Sequence, residues 1–341
     1  MTNLPEDPLH EAGDWPGITP DEFGPLEEPS AAEEPLAAEP LAAEPLAEPP
    51  LAEESLAEPP LFQLFTAPEF HSPVRIPHLG HLCLLVPLIG LSFVVVMLFF
   101  LAAVRLHLFG VTTQQQAGLD VHYILGVEGG LYLLTLVASL FIFPLFWHKS
   151  FFAGLQWNGA TAWRHRWQLI SVAGMCFVLA LLDGALMPGP NNAPIEEIFQ
   201  APGAAWMLFA FGVTMAPFFE ESLFRGFLLP ALCTAYDWGT EKASGAFVRP
   251  LEANGHPQWS LAAKVFASVV ASIPFAWLHA AQTSYSLGPF LLLVAVSLVL
   301  CAVRLVSRSL AASVFVHAFY NLLLFSMMMV GTGGFRNLDK M

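Results

Sequence analysis

The stretch Phe218-Phe219-Glu220-Glu221-Ser222-Leu223-Phe224-Arg225-Gly226-Phe227 sets two adjacent carboxylates and an arginine inside an apolar run that extends over residues 204–232. A run of that length and composition is long enough to cross a bilayer. An ionised carboxylate at membrane depth costs about 2.5–3.5 kcal/mol on insertion-based scales, so a chain that places two there uses them. Working outward, the same apolar character recurs in runs at 82–104, 121–146, 167–187, 264–282, 287–304 and 309–330. The 341 residues are 55% hydrophobic and 12% charged, with a mean hydropathy of +0.59. Soluble domains carry roughly 25% charged residues, so this composition excludes a soluble protein. The sequence predicts an all-α fold, a polytopic membrane helix bundle of about seven to eight transmembrane helices. The 147–165 connection carries Lys149, Arg164 and Arg166, which argues against an eighth span there.

Ahead of the bundle lies an acidic arm. Of the 28 acidic residues 17 fall in residues 1–70, which hold no Lys or Arg; the rest of the chain has 11 acids against 13 bases. The net charge of −15 therefore belongs to the arm, and no basic surface for nucleic acid is present. A leucine recurs every five residues at Leu36, Leu41, Leu46, Leu51, Leu56 and Leu61, a period that fits neither a helix face nor a strand face. Interspersed prolines break any long helix. Residues 1–75 are thus expected to be a disordered acidic Pro/Ala/Glu/Leu-repeat tail, and residues 80–335 the transmembrane bundle.

Alternating seven spans puts nine Lys and Arg residues on the face that holds the N terminus and three on the other. By the positive-inside rule the N terminus is cytoplasmic, in a multi-pass protein of a bacterial cytoplasmic (inner) membrane. Cys83, Cys176, Cys233 and Cys301 lie in or beside apolar runs, with no CxxC pair, and are expected to be buried small hydrophobes.

Three segments carry ionisable or amide side chains deep in the spans. Glu221 and Arg225 are i,i+4 neighbours and are expected to pair. Glu220, about 100° away around the helix, is free to face a polar cavity. Phe275 and His279 share one face of a second helix, and His317 and Asn321 one face of a third. A buried carboxylate can serve as general base towards water, and an imidazole can share that water. A second histidine and a carboxamide can donate to the oxyanion of a tetrahedral intermediate. Each segment alone is also compatible with a purely structural role, such as interhelical hydrogen bonding.

Glu-Glu-x-x-x-Arg, Phe-x-x-x-His and His-x-x-x-Asn, in that order on successive apolar helices, resemble the CPBP family of intramembrane glutamic endopeptidases. This family is also called Abi or CAAX protease-like and includes the Ras-converting-enzyme type. The likeness covers residues 195–325, the expected protease core. It implies Glu220 as the catalytic glutamate, His279 as the histidine that helps activate water, and His317 and Asn321 as the oxyanion pair. Glu221, Arg225 and Phe275 take supporting places. The acidic tail and the loop 239–260 are departures from the family pattern. The resemblance implies a peptide or membrane-protein substrate, a lipid bilayer as the surroundings, no cofactor and no metal. A prenyl group on the substrate does not follow from these residues.

Three alternatives use the same residues: a metal-dependent membrane protease, a non-catalytic binding or immunity protein of the same family, and a transporter with a midplane proton path. No His-Glu-x-x-His supports the first, and no internal repeat supports the last. The apolar runs leave one conflict of depth. They place Glu220 mid-span and His279 close to the outer end of its helix, whereas catalysis needs the two within one water of each other. All four candidate catalytic side chains are nevertheless expected to converge on one cavity, with Arg225 turned towards Glu221.

Overall fold

A computed structural model describes residues 76–187, 203–245 and 258–336. The acidic tail and much of the loop 239–260 lie outside the described residues. The described residues are helical and include no strand. The long elements are α1 (Leu79–Arg105), α2 (Val121–Trp147), α3 (Arg166–Leu186), α4 (Ala204–Val213), α5 (Met215–Glu221), a π-helical segment (Ser222–Leu228), α6 (Leu229–Ser244), α7 (Leu261–Ala280), α8 (Leu287–Ser307) and α9 (Leu310–Gly331). Counting 204–244 as one stack, seven helices among the described residues are long and apolar enough to cross a membrane. The connection 147–165 holds only the short helices Phe151–Gly154 and Gly159–Arg164. Large apolar side chains point outward from the bundle, among them Phe99, Phe141, Leu186 and Val306, as a lipid-facing surface requires.

Polar caps punctuate the apolar runs. The Asp120 carboxylate accepts from the backbone N–H of His122 at the start of α2. Ser260 and Ser309 hydroxyl oxygens accept from Ala263 N–H and Ala312 N–H at the starts of α7 and α9. Such caps satisfy backbone donors that the first helical turn leaves unpaired. α9 is the hub of the bundle, packing on α3, α8, α4 and α5, while α7 lies along both α6 and α8 and α1 along α2.

Two prolines shape the stack that carries the glutamates. Pro217 lacks an N–H, and its ring crowds the carbonyl four residues back. The helix breaks just ahead of it, at Thr214 (φ −117°, ψ −73°), into α4 and α5. Pro230 stands at the second position of α6, directly after the π-helical segment. There Leu229 N–H bonds to Phe224 O, five residues back. The wider turn accommodates the proline, which cannot donate to Gly226. The expected span 204–232 is therefore kinked, and it is also too short: α6 continues to Ser244.

That correction removes the conflict of depth. The buried Asp237 carboxylate accepts from the Ser260 backbone N–H at 2.9 Å and from its hydroxyl at 2.6 Å, clamping α6 to the start of α7. From the clamp, Glu220 lies 17 residues up one helix and His279 19 residues up its neighbour. At about 1.5 Å per residue the two reach nearly the same height.

On the opposite flank, the Arg304 guanidinium donates to Leu155 O at 3.3 Å and to Gln156 Oε1 at 2.6 Å. Gln156 O in turn accepts from Leu310 N–H at 3.0 Å, which ties the 151–158 connection to the α8–α9 turn. Cys176, Cys233 and Cys301 are buried free thiols. Cys83 is exposed on α1, contrary to the expectation that every cysteine is buried.

Candidate active site

Glu220 and Glu221 close α5, and the helical rotation between them sends each to different partners. Glu221 is fully buried. Its Oε1 accepts from Arg225 Nη1 at 2.9 Å and lies 3.0 Å from His317 Nδ1. Arg225, also fully buried, donates through Nη2 to Ser297 Oγ at 2.7 Å and to Ser297 O at 3.1 Å. The guanidinium lies over the Phe275 ring, 4.5 Å from its centroid. An arginine at this depth is thus held by a carboxylate, a hydroxyl, a carbonyl and an aromatic face, which together replace the water it has lost.

Glu220 faces the two imidazoles. Its Oε2 is 3.6 Å from His279 Nε2 and 3.9 Å from His317 Nε2. That oxygen is buried and accepts no hydrogen bond within the protein. Both rings are anchored at their far nitrogens. His279 Nδ1 is 2.9 Å from the Phe275 carbonyl, which can only accept, so Nδ1 carries the proton. His317 Nδ1 rests against the Glu221 carboxylate by the same logic. Each ring therefore presents Nε2 to Glu220. Phe275 packs between them, 5.0 Å from the His279 ring and 6.0 Å from the His317 ring.

The structure brings together Glu220, His279 and His317 around one point, and Glu221, Arg225 and Phe275 behind them. It holds Asn321 differently. One turn above His317, the Asn321 amide nitrogen donates to Gly212 O at 2.7 Å, near the end of α4. This bond ties α9 to the Thr214 break and occupies one of the two amide hydrogens.

The polar residues read from the sequence omit two that the fold adds. Glu128 on α2 accepts a 2.8 Å hydrogen bond from the Tyr132 hydroxyl. The Tyr132 ring stacks on Phe219, next to Glu220, with centroids 4.0 Å apart and planes 13° apart. A glutamate seven residues into an apolar span, with a tyrosine one turn on, was a readable signal for a functional site. Among the described residues no group of three or more His, Cys, Asp or Glu side chains is arranged to hold a metal ion, so the metal-dependent alternative gains no support from their geometry.

A helix bundle built for a bilayer, with a buried carboxylate set against two oriented imidazoles, defines a membrane-embedded protein equipped for acid–base chemistry. Residues 202–323 match the family described as type II CAAX prenyl endopeptidase Rce1-like. That domain matches the CPBP, or Abi, family of CAAX proteases, which is a family of peptidases. No curated protein and no solved structure matches the chain.

Proposed function

We propose that the protein is an intramembrane glutamic endopeptidase that hydrolyses a peptide bond in a membrane-associated protein or peptide. In this reading Glu220 and His279 activate the water, and His317 and Asn321 stabilise the oxyanion. The observation that carries the reading is the placement of Glu220 Oε2 3.6 Å and 3.9 Å from two imidazole nitrogens on two other helices. Both separations exceed a direct hydrogen bond and suit groups that share a water.

Glu220 takes a proton from the water as its oxygen attacks the scissile carbonyl carbon. The new C–O bond forms, and the carbonyl π electrons move onto oxygen. His317, backed by Glu221, donates from Nε2 in its imidazolium form to that oxyanion, and the remaining Asn321 amide hydrogen supplements it. The oxyanion pair then re-forms the C=O bond as the C–N bond breaks, and the proton held by Glu220 passes to the leaving amine. In a site closed off from water such donors act at low dielectric, where they are most effective.

His279→Ala is expected to lower kcat by about 10²-fold or more, because the water loses one of its two holders. The assay is cleavage of a membrane-inserted reporter peptide by purified protein in liposomes, with thermal unfolding as a control. A folded His279→Ala protein that cleaves at the wild-type rate would remove His279 from the mechanism.

The proposal includes the orientation, with the N terminus in the cytoplasm of a bacterial inner membrane, supported by the nine-to-three division of basic residues. A phosphatase fused after Met341 is then expected to be active and a fluorescent protein at the same position dark; the opposite pattern reverses the orientation.

A further inference from the structure

A cavity of about 20 Å³ lies where α2 meets the stack that carries the glutamates. Three residues with hydroxyls line it: Thr135 and Ser139 from α2, and Ser222 from the π-helical segment. Its other walls are leucine and phenylalanine side chains, among them Leu85, Phe219 and Phe227. Phe219 and Ser222 bracket Glu220 and Glu221 in the sequence, so whatever fixes this wall also fixes the carboxylate pair. One turn along α2 from Thr135, Tyr132 already stacks on Phe219.

Thr135 is 1% exposed, and its Oγ1 is buried with no hydrogen-bond partner within the protein. Other hydroxyls of this bundle behave differently. Ser171, Thr214, Ser222, Ser268 and Ser272 each donate to the carbonyl four residues back, the usual local solution for a helical hydroxyl. Thr135 forgoes that bond, and a buried hydroxyl left unpaired is costly. Ser139, four residues on and on the same face of α2, is buried as well. The Ser222 hydroxyl spends its hydrogen on Phe218 O at 2.7 Å, so towards the cavity its oxygen can only accept.

We infer that this cavity is a binding site for one water molecule, which bridges α2 to the π-helical segment behind Glu220 and Glu221. The volume admits one water. No charged side chain lines the cavity, so a neutral ligand fits it and an ion does not. The hydrogens balance. Thr135 O–H donates to the water oxygen, and the water donates one hydrogen to Ser222 Oγ and the other to Ser139 Oγ. Three bonds are the usual complement of a buried water. The bridge pairs the stranded Thr135 hydroxyl and ties Ser222 to a second helix. It stands apart from the peptidase reading, since it follows from the cavity and its hydroxyls whether or not Glu220 is the base.

The test compares the full chain with Thr135→Val, which keeps the shape of the side chain and removes the hydroxyl. Hydrogen–deuterium exchange of both proteins in nanodiscs reads the amides of 218–228. The sign of the effect decides. A bridging water loses a partner in Thr135→Val, so the stretch is expected to exchange about two- to tenfold faster, the worth of one net hydrogen bond. In a dry cavity the same change only removes an unpaired hydroxyl and leaves exchange equal or slower; that result overturns the inference. A crystal structure of the wild-type chain at a resolution that shows ordered water is the second measurement, and it needs no variant to fold. It is expected to show a density peak at about 2.5–3.0 Å from both Thr135 Oγ1 and Ser222 Oγ. No peak there, or a Thr135 hydroxyl bonded to a backbone carbonyl, overturns the inference.

Discussion

Arg225→Met is expected to destabilise the bundle by about 3–5 kcal/mol, the usual cost of stranding one member of a buried ion pair. The substitution leaves Glu221, which is fully buried, without its only cationic side-chain donor other than His317. It also strips the donors from Ser297 Oγ and Ser297 O on α8, and the cation from the Phe275 face on α7. One side chain thus joins the π-helical segment to two neighbouring helices. Replacing both partners, as Glu221→Leu with Arg225→Met, is expected to recover part of the loss, because no buried charge is then left unpaired. The double variant should still be inactive, since His317 loses the carboxylate that orients it. Unfolding in mixed micelles of graded denaturing detergent measures the stabilities. A change below about 1 kcal/mol for Arg225→Met, the scale of an exposed pair, would mean that the pair does not hold the site together.

What could be read in the sequence was whatever depends on local spacing. The Glu221–Arg225 pair follows from i,i+4 geometry and survives even though Arg225 sits in a π-helical segment. The opposite facing of Glu220 follows from the helical rotation between neighbours. The apolar runs gave the span count because backbone groups in a bilayer must pair internally, which leaves helices as the solution.

What could not be read depends on partners far along the chain, or on helix that has left the apolar layer. Residues 233–244 turn polar, so an apolar run ends near 232 while the helix continues to Ser244. Only the Asp237–Ser260 clamp reveals that Glu220 and His279 share a height. The engagement of the Asn321 amide with Gly212, 109 residues away, has no local signature. The π-helical segment has none either, beyond the proline that follows it. Glu128 differs from these. It is a lone acid in an apolar span, legible from that alone, but it belongs to none of the three motifs.

Glu220→Gln is expected to lower kcat by about 10²–10⁴-fold, the range a positioned general base supplies. Glutamine keeps the size of the side chain and can still hydrogen-bond to a water, but it cannot accept the proton that the attack releases. The loss should not come from misfolding. Glu220 Oε2 has no hydrogen-bond partner within the protein, and a glutamine of the same size fills its place beside the two imidazoles. Glu221→Gln, by contrast, disturbs both Arg225 and His317, and is expected to cost stability and activity together.

The most direct measurement is therefore the rate at which purified wild-type and Glu220→Gln proteins, reconstituted in the same liposomes, cleave a membrane-inserted peptide library, with the new termini read by mass spectrometry. The expected result is defined new termini from the wild type and none above background from a Glu220→Gln protein of undiminished thermal stability. The same termini, formed at a similar rate by Glu220→Gln, would contradict the assignment of Glu220 as the base.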